Sequence, residues 1–210
     1  MKCSKHSGTA GCLFMVLAIA SAPVAAKGGF VGAGVSITPD YEGGDDYTAA
    51  PALFGRYNLE AGRYVALVGG ADAARSGRLV LNVIPNSPWE IGPALGIRYE
   101  RNDADNDRVG RMDDIDWAIE AGGFIKYNGT SWFTALGVSA DVSDTYGGYI
   151  ADLQAGYKQK VSSDFGLTYT ASIAYVDDEY MEEYFGVDGS DAASSGLSPY
   201  DADGGFKDYG

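Results

Sequence analysis

Apolar and polar residues alternate with a period of two over long stretches of the chain. Trp89, Ile91, Pro93, Leu95, Ile97 and Tyr99 share one face of an extended segment, and Glu90, Gly92, Ala94, Gly96 and Arg98 share the other. Successive side chains of a strand point to opposite faces, so this pattern predicts a β-strand with one apolar face. The same grammar recurs in Trp117, Ile119, Ala121, Gly123, Ile125 and Tyr127. It returns from Phe165 through Leu167, Tyr169, Ala171 and Ile173 to Tyr175. Tyr47 to Tyr57 and Tyr149 to Tyr157 follow it more loosely.

The apolar faces carry a second regularity. Four of these strands begin and end with an aromatic residue ten positions apart: Tyr47/Tyr57, Trp89/Tyr99, Trp117/Tyr127 and Phe165/Tyr175. Ten residues at ~3.3 Å each span ~33 Å, and a tilt of ~40° reduces this to ~25 Å, the height of the apolar band between the aromatic girdles of a membrane barrel. A soluble β-sandwich also alternates, but nothing in its physics sets that aromatic spacing. The opposite faces are small and polar, with Arg56, Arg98, Glu120, Lys126, Asp152, Gln154 and Lys158 among Gly, Ala, Thr and Ser. That composition suits a polar lumen. The predicted fold is an all-β, antiparallel, transmembrane up-and-down β-barrel, with Tyr57, Trp89, Tyr99, Trp117, Tyr127, Phe165 and Tyr175 in its girdles.

The connections orient this barrel. Short links are expected at Asn58–Gly62, Pro85–Pro88, Asn128–Ser131 and Ser162–Asp164. The links at Pro39–Asp46, Asp72–Arg78, Arg101–Ile115, Ser143–Gly147 and Asp177–Gly204 alternate with them. Short turns of such barrels face the periplasm and longer loops face outward. Nine strands are complete and a tenth begins at Gly205. Bacterial single-chain barrels close with an even number of strands, so the expectation is a barrel over residues 27–210 that lacks its C-terminal end, with about twelve strands when complete.

The first 26 residues stand apart from this pattern. Lys2 and Lys5 precede an apolar run from Cys12 to Ala20 and the small-residue site Val24-Ala25-Ala26, which predicts a secretory signal peptide cleaved after Ala26. Both cysteines, Cys3 and Cys12, and the only histidine, His6, lie inside it. A mature chain without them has no disulfide framework, thiolate metal site, cysteine nucleophile or Ser-His-Asp triad, and no enzyme or cofactor is expected. Without Lys2 and Lys5 the chain has 13 basic and 29 acidic residues, a net charge of −16, which disfavours nucleic acid as a partner. The 26 aromatic residues and the sustained alternation argue against disorder.

Three stretches carry a resemblance. Thr38-Pro39-Asp40-Tyr41-Glu42-Gly43-Gly44-Asp45-Asp46-Tyr47 follows the first strand. Asp178-Glu179-Tyr180-Met181 leads into Tyr184-Phe185-Gly186-Val187, and Ser195-Gly196-Leu197-Ser198-Pro199-Tyr200-Asp201-Ala202 leads into Gly205-Phe206-Lys207-Asp208. In order and spacing they resemble the MltA-interacting protein family, also called MipA/OmpV. The resemblance implies an outer-membrane barrel set in lipid and lipopolysaccharide and inserted by the barrel-assembly machinery. One well-known member joins a lytic murein transglycosylase to a murein synthase, so periplasmic murein hydrolase and synthase partners are implied as well.

Other candidate sites have plainer readings beside them. Pro39–Tyr47 suits a structured loop at the barrel mouth, with Gly43-Gly44 supplying a turn. Asp103, Asp105, Asp107 and Asp114 echo the spacing of a calcium loop, but Arg108 stands where that loop needs glycine, so a solvated acidic loop is the better description. Asp177–Phe185 is expected to make a helical turn whose Tyr180, Tyr184 and Phe185 pack over the barrel mouth. The function read from the residues is a structural or scaffolding barrel of the cell envelope. The alternatives are a narrow porin-like channel and an adhesin or receptor acting through the acidic loops.

Overall fold

The computed structural model describes residues 28–39, 47–68, 75–102, 106–162 and 165–209. Ten strands form one antiparallel sheet in sequence order. They are β1 (Gly29–Pro39), β2 (Tyr47–Asn58), β3 (Tyr64–Val68), β4 (Arg75–Asn82), β5 (Trp89–Arg98), β6 (Ala118–Asn128), β7 (Trp132–Asp141), β8 (Tyr149–Lys160), β9 (Gly166–Val176) and β10 (Gly205–Tyr209). Each strand pairs with its neighbours in the chain, as expected of an up-and-down topology. Among the described residues, β1 pairs with β2 and β10 with β9, and the two are not paired with one another.

The alternation read from the sequence has an unusual consequence in three dimensions. Leu95 is 54% exposed, and Leu53, Leu79, Ile119, Leu136, Leu153 and Tyr169 are likewise exposed, while Arg98 and Glu120 are wholly buried. Apolar side chains point out and charged ones point in, the reverse of a protein that folds in water. The pairing of β5 with β6 is nevertheless continuous from Trp89↔Tyr127 through Arg98↔Ala118, over the whole length of β5.

The sheet is strongly curved. Arg78 on β4 reaches Asp152 on β8 with a separation of 2.8 Å. Strands four places apart in a flat sheet lie ~19 Å from each other, at ~4.8 Å per strand. No pair of side chains crosses that distance, so the sheet wraps its polar face around an interior that this ion pair spans. Small residues make room for it: a Cβ at Gly137 on β7 would stand 2.9 Å from the Asp152 carboxylate.

The two ends of the sheet differ. At one end the strands are joined by 59–63, 83–88, 129–131 and 161–165, and at the other by longer segments that include 99–117 and 177–204. The last of these contains two short helices, α1 (Asp178–Phe185) and α2 (Gly189–Ser195). The first agrees with the helical turn expected there. The second was not anticipated, although Asp188 at its N-cap, accepting from the Asp191 amide, and Gly196 in the left-handed region at φ 72° are ordinary start and stop signals.

Both members of the Arg78–Asp152 pair are largely shielded from solvent. Removing one leaves the other charge in a low-dielectric interior, so Asp152→Ala is expected to destabilise the fold by about 3 kcal/mol. Urea unfolding of the detergent-solubilised protein, followed by tryptophan fluorescence, measures this, and an unchanged midpoint refutes it.

Candidate functional site

The longer-loop end of the interior is closed by side chains. Asp177 starts α1 by accepting from the Tyr180 amide at 3.2 Å, and its second oxygen accepts from the Tyr149 amide at 3.0 Å. One carboxylate thus caps the helix and fixes it to the start of β8. Tyr180 and Tyr184, four residues apart, fall on the same helix face and stack at 4.6 Å. Both are buried in a cluster with Ile115, Ala118, Ile150, Ala174 and Val176.

A third ring comes from the turn between β7 and β8. Asp141 organises it, accepting from the amides of Ser143 at 2.8 Å, Thr145 at 2.6 Å, Tyr146 at 2.7 Å and Gly147 at 3.1 Å. The turn delivers Tyr146 edge-on to Tyr180 at 5.1 Å and to Tyr184 at 5.8 Å.

Beneath the three rings lies a salt bridge with no exposure on either side chain, Arg98 to Glu120 at 2.9 Å. Glu120 Oε1 accepts from Arg98 Nε at 2.9 Å and from the Tyr146 hydroxyl at 2.9 Å, and Oε2 accepts from Ser139 Oγ at 3.2 Å. The Arg98 guanidinium lies 4.9 Å from the centre of the Tyr180 ring, 5.6 Å from Tyr184 and 5.9 Å from Tyr146. Each face of a tyrosine ring carries negative potential, so three rings around one cation compensate part of its lost hydration. This arrangement is a plug. It fills space, and its carboxylate and guanidinium neutralise one another.

The outer surface of the plug is sewn to the neighbouring loop. Arg101 donates to the Tyr184 carbonyl at 3.1 Å and to the Asp113 carbonyl at 3.1 Å, while its backbone pairs with Ile115. The Asp113 amide donates to the Asp191 carboxylate of α2 at 2.7 Å. Val187 and Tyr200 exchange backbone hydrogen bonds at 2.8 and 3.0 Å, closing the segment around α2. Burial lowers the pKa of Arg101, against the pull of Asp191 and Glu183. Burial raises that of Glu183; Arg101 opposes the rise, and Asp191 and Asp113 add to it.

Residues 31–210 match the family described as MltA-interacting protein MipA. The chain belongs to that family. It is also similar to the Escherichia coli (strain K12) protein named "Putative outer membrane protein YiaT", with 25% identity over 116 residues, 55% of this chain and 46% of the relative. Its counterpart of the same name in Escherichia coli O157:H7 is 25% identical over 123 residues, 58% of this chain and 46% of the relative. The chain spans about half the length of the curated relatives it matches. No solved structure matches it.

The MipA-like stretches fall in different places. Pro39 and Tyr47 are opposite each other as the last pair of β1 and β2, and Asp40, Tyr41, Glu42, Gly43, Asp45 and Asp46 lie outside the described residues. Tyr184 is a plug ring, and Phe185 packs against the same cluster. Gly186 leaves room for the helix end, since a Cβ there would run into the Glu182 carbonyl. Pro199, Tyr200 and Asp201 are exposed on the returning strand of loop, which the Tyr200 backbone ties to Val187. The second and third stretches are thus brought together, as parts of one capped segment.

The outward aromatics gather at the two ends. Trp89 meets Tyr127 at 4.8 Å, and Tyr127 meets Trp132 at 5.3 Å, with Tyr57 and Phe165 exposed at that same short-turn end. At the other end Tyr99 meets Trp117 at 5.2 Å, and Tyr175 lies 6.5 Å from Tyr149 and 5.7 Å from Phe206. Of the calcium-like carboxylates, Asp103 and Asp105 lie outside the described residues, and Asp107 and Asp114 are exposed. Among the described residues no group of three His, Cys, Asp or Glu side chains converges to hold a metal.

Sequence reasoning missed Tyr146, Asp141 and the pairing of Arg98 with Glu120. The pairing had a signal: both residues sit on inward positions just inside the aromatic ends Tyr99 and Trp117. The hairpin register sets Arg98 opposite Ala118 and Gly96 opposite Glu120, so the two charges are diagonal neighbours.

Two outcomes follow from the plug. Tyr146→Phe removes one hydrogen bond to a charged acceptor and is expected to cost about 1.5–3 kcal/mol, and Glu120→Ala, which strands a buried guanidinium, about 3–5 kcal/mol. Urea midpoints and the near-ultraviolet dichroism of the tyrosines read both, and equal effects of the two changes contradict the assignment. Glu183, raised in the folded state, stabilises fully only below the ordinary glutamate value of about 4.3 and loses that contribution as pH climbs through its folded value. Glu183→Gln is therefore expected to flatten the pH dependence of stability across this range, and an unaltered profile by thermal melting counts against it.

Proposed function

We propose that this chain is a non-enzymatic outer-membrane barrel that works by the surfaces it presents to other envelope components, and that nothing passes through it. The observation that carries the reading is an interior occupied at two levels, by the tyrosine plug over Arg98–Glu120 and by the Arg78–Asp152 pair that spans it. The exposed apolar side chains, from Leu53 to Tyr175, provide the lipid-facing band, and the two aromatic groupings act as its girdles. The short turns face the periplasm, the loop segments face lipopolysaccharide, and the barrel-assembly machinery inserts the protein after signal-directed export.

The family description points to a murein hydrolase of the MltA type as the periplasmic partner, with the chain serving as a scaffold. A conduit reading fares worse because ionic and aromatic side chains occupy the space that a channel needs. Residues 27–210 hold no cysteine or histidine, which leaves carboxylates as the acid–base groups of this stretch that titrate below neutral pH.

Planar-bilayer recording tests the closed interior: the protein is expected to insert silently, and a steady open conductance of the unmodified chain overturns the reading. Leu95→Arg places a cation in the apolar band and is expected to destabilise the protein in liposomes by about 2–4 kcal/mol, an effect that vanishes if that face meets water. Surface plasmon resonance with an MltA-type transglycosylase tests the scaffold; a folded barrel that fails to bind removes that role.

A further inference from the structure

The short-turn end of the interior carries a second ring of groups that the plug does not use. In strand order these are Arg56 on β2, Tyr64 on β3, Glu90 on β5, Lys126 on β6, Phe133 on β7 and Lys158 on β8. The Arg56 guanidinium sits 3.8 Å from the centre of the Tyr64 ring, and the Tyr64 hydroxyl donates to Glu90 Oε2 at 2.8 Å. Lys126 Nζ lies 3.5 Å from that same oxygen. The ammonium groups of Lys126 and Lys158 stand 5.0 and 5.4 Å from the centre of the Phe133 ring.

This ring holds three cations and one carboxylate, Glu90, which pairs with Lys126. Among the described residues no carboxylate pairs with Arg56 or Lys158; Arg56 donates instead to the Asn58 side-chain oxygen at 2.7 Å. Lys160 continues the inward row of β8 toward the rim. This excess of positive charge belongs to a chain of net charge −14, whose segment 177–204 holds nine carboxylates and no lysine or arginine. Like charges held together in a concave, partly dry mouth raise its potential and draw in anions.

The placement of the cations narrows the ligand. A phosphate or other compact anion is held where several donors converge on one point. Here Arg56, Lys126 and Lys158 are spread over β2, β6 and β8 with two aromatic rings between them. Spaced cations separated by apolar surface match a chain that carries spaced carboxylates on short hydrocarbon stems. We propose that the short-turn mouth binds an acidic peptide segment, its carboxylates paired by Arg56, Lys126 and Lys158 and its stems covered by Tyr64 and Phe133. The site stands on the geometry of the interior, and only its placement at the periplasm rests on the membrane reading above.

The test uses the full chain in detergent micelles and a fluorescein-labelled hexaglutamate peptide, read by anisotropy. Binding that weakens with salt is expected, with a loss of about tenfold or more in the Lys126→Gln/Lys158→Gln double variant. Lys158→Arg is expected to keep it, and Arg108→Gln/Arg111→Gln at the other end of the barrel to leave it unchanged. Heat-modifiable gel mobility shows that each variant keeps its barrel, and if the double variant does not, Arg56→Gln and Lys160→Gln carry the comparison. Absence of binding, an equal loss in the Arg108/Arg111 control, or displacement by an equimolar amount of inorganic phosphate overturns the proposal. Micelles have no sidedness, so a wrong orientation leaves this result intact. Labelling of Lys160→Cys in whole cells before outer-membrane permeabilisation instead rejects the orientation alone.

Discussion

A guanidinium and a carboxylate that both lack contact with bulk solvent impose conditions on everything near them. Each ion loses several kcal/mol of hydration on burial, and a single salt bridge does not return it. Arg98 and Glu120 meet these conditions by recruiting distant parts of the chain: Ser139 from β7, Tyr146 from the following turn, and Tyr180 and Tyr184 from α1. Each carboxylate oxygen accepts from a hydroxyl, and three tyrosine rings lie about the cation. This one pair therefore ties together the helix that Asp177 anchors and the turn that Asp141 shapes.

The same logic extends down the interior in layers. Arg78–Asp152 occupies the middle, and Glu90–Lys126 with Tyr64 occupies the opposite end. Between the charges, glycine and aromatic partners fit across strands: Gly32 faces Phe54 on β2, and Gly156 faces Phe133 on β7, where an added Cβ would collide with the ring. An aromatic side chain lying over a facing glycine covers backbone that would otherwise be bare, and it lets the sheet curve more tightly. Polar layers separated by such pairs give an interior that is ionic and packed at once.

The period-two pattern carried most of the fold. From Trp89–Tyr99 and Trp117–Tyr127 one reads strand identity, inward and outward faces and the hairpin between them, because alternation depends on each strand alone. The capped segment was legible in outline, since Tyr180 and Tyr184 lie on one side of a short helix. What escaped was the set of contacts joining residues far apart in sequence. Asp141 reads as a strand-end carboxylate until its four amide donors are seen, and Tyr146 reads as a loop tyrosine until it meets Glu120. Asp152 reads as an inward charge, but Arg78 reads as the end of the Asp72–Arg78 link although it lies inside β4, and their meeting depends on how tightly the sheet curls between β4 and β8, a quantity that no single strand encodes. The loop Asp40–Asp46, part of the first family stretch, lies outside the described residues, so its reading stands as an expectation.

The sequence separations of these contacts also order the assembly. Hairpins such as β5–β6 and β6–β7 close locally, with their partners joined by a single connection. The plug contacts do not: Arg101 reaches Tyr184 across 83 residues and Asp113 reaches Asp191 across 78. Closing so long a segment costs chain entropy before any contact compensates for it, unless the intervening residues are already ordered into strands that bring the ends together. The α1 segment can thus dock at little entropic cost only after β5 through β9 have paired, when Ile115, Ala118, Ile150, Ala174 and Val176 already form its floor. The same docked segment supplies the Tyr180 and Tyr184 rings that lie against Arg98, so covering the pair and compensating its lost hydration are one set of contacts.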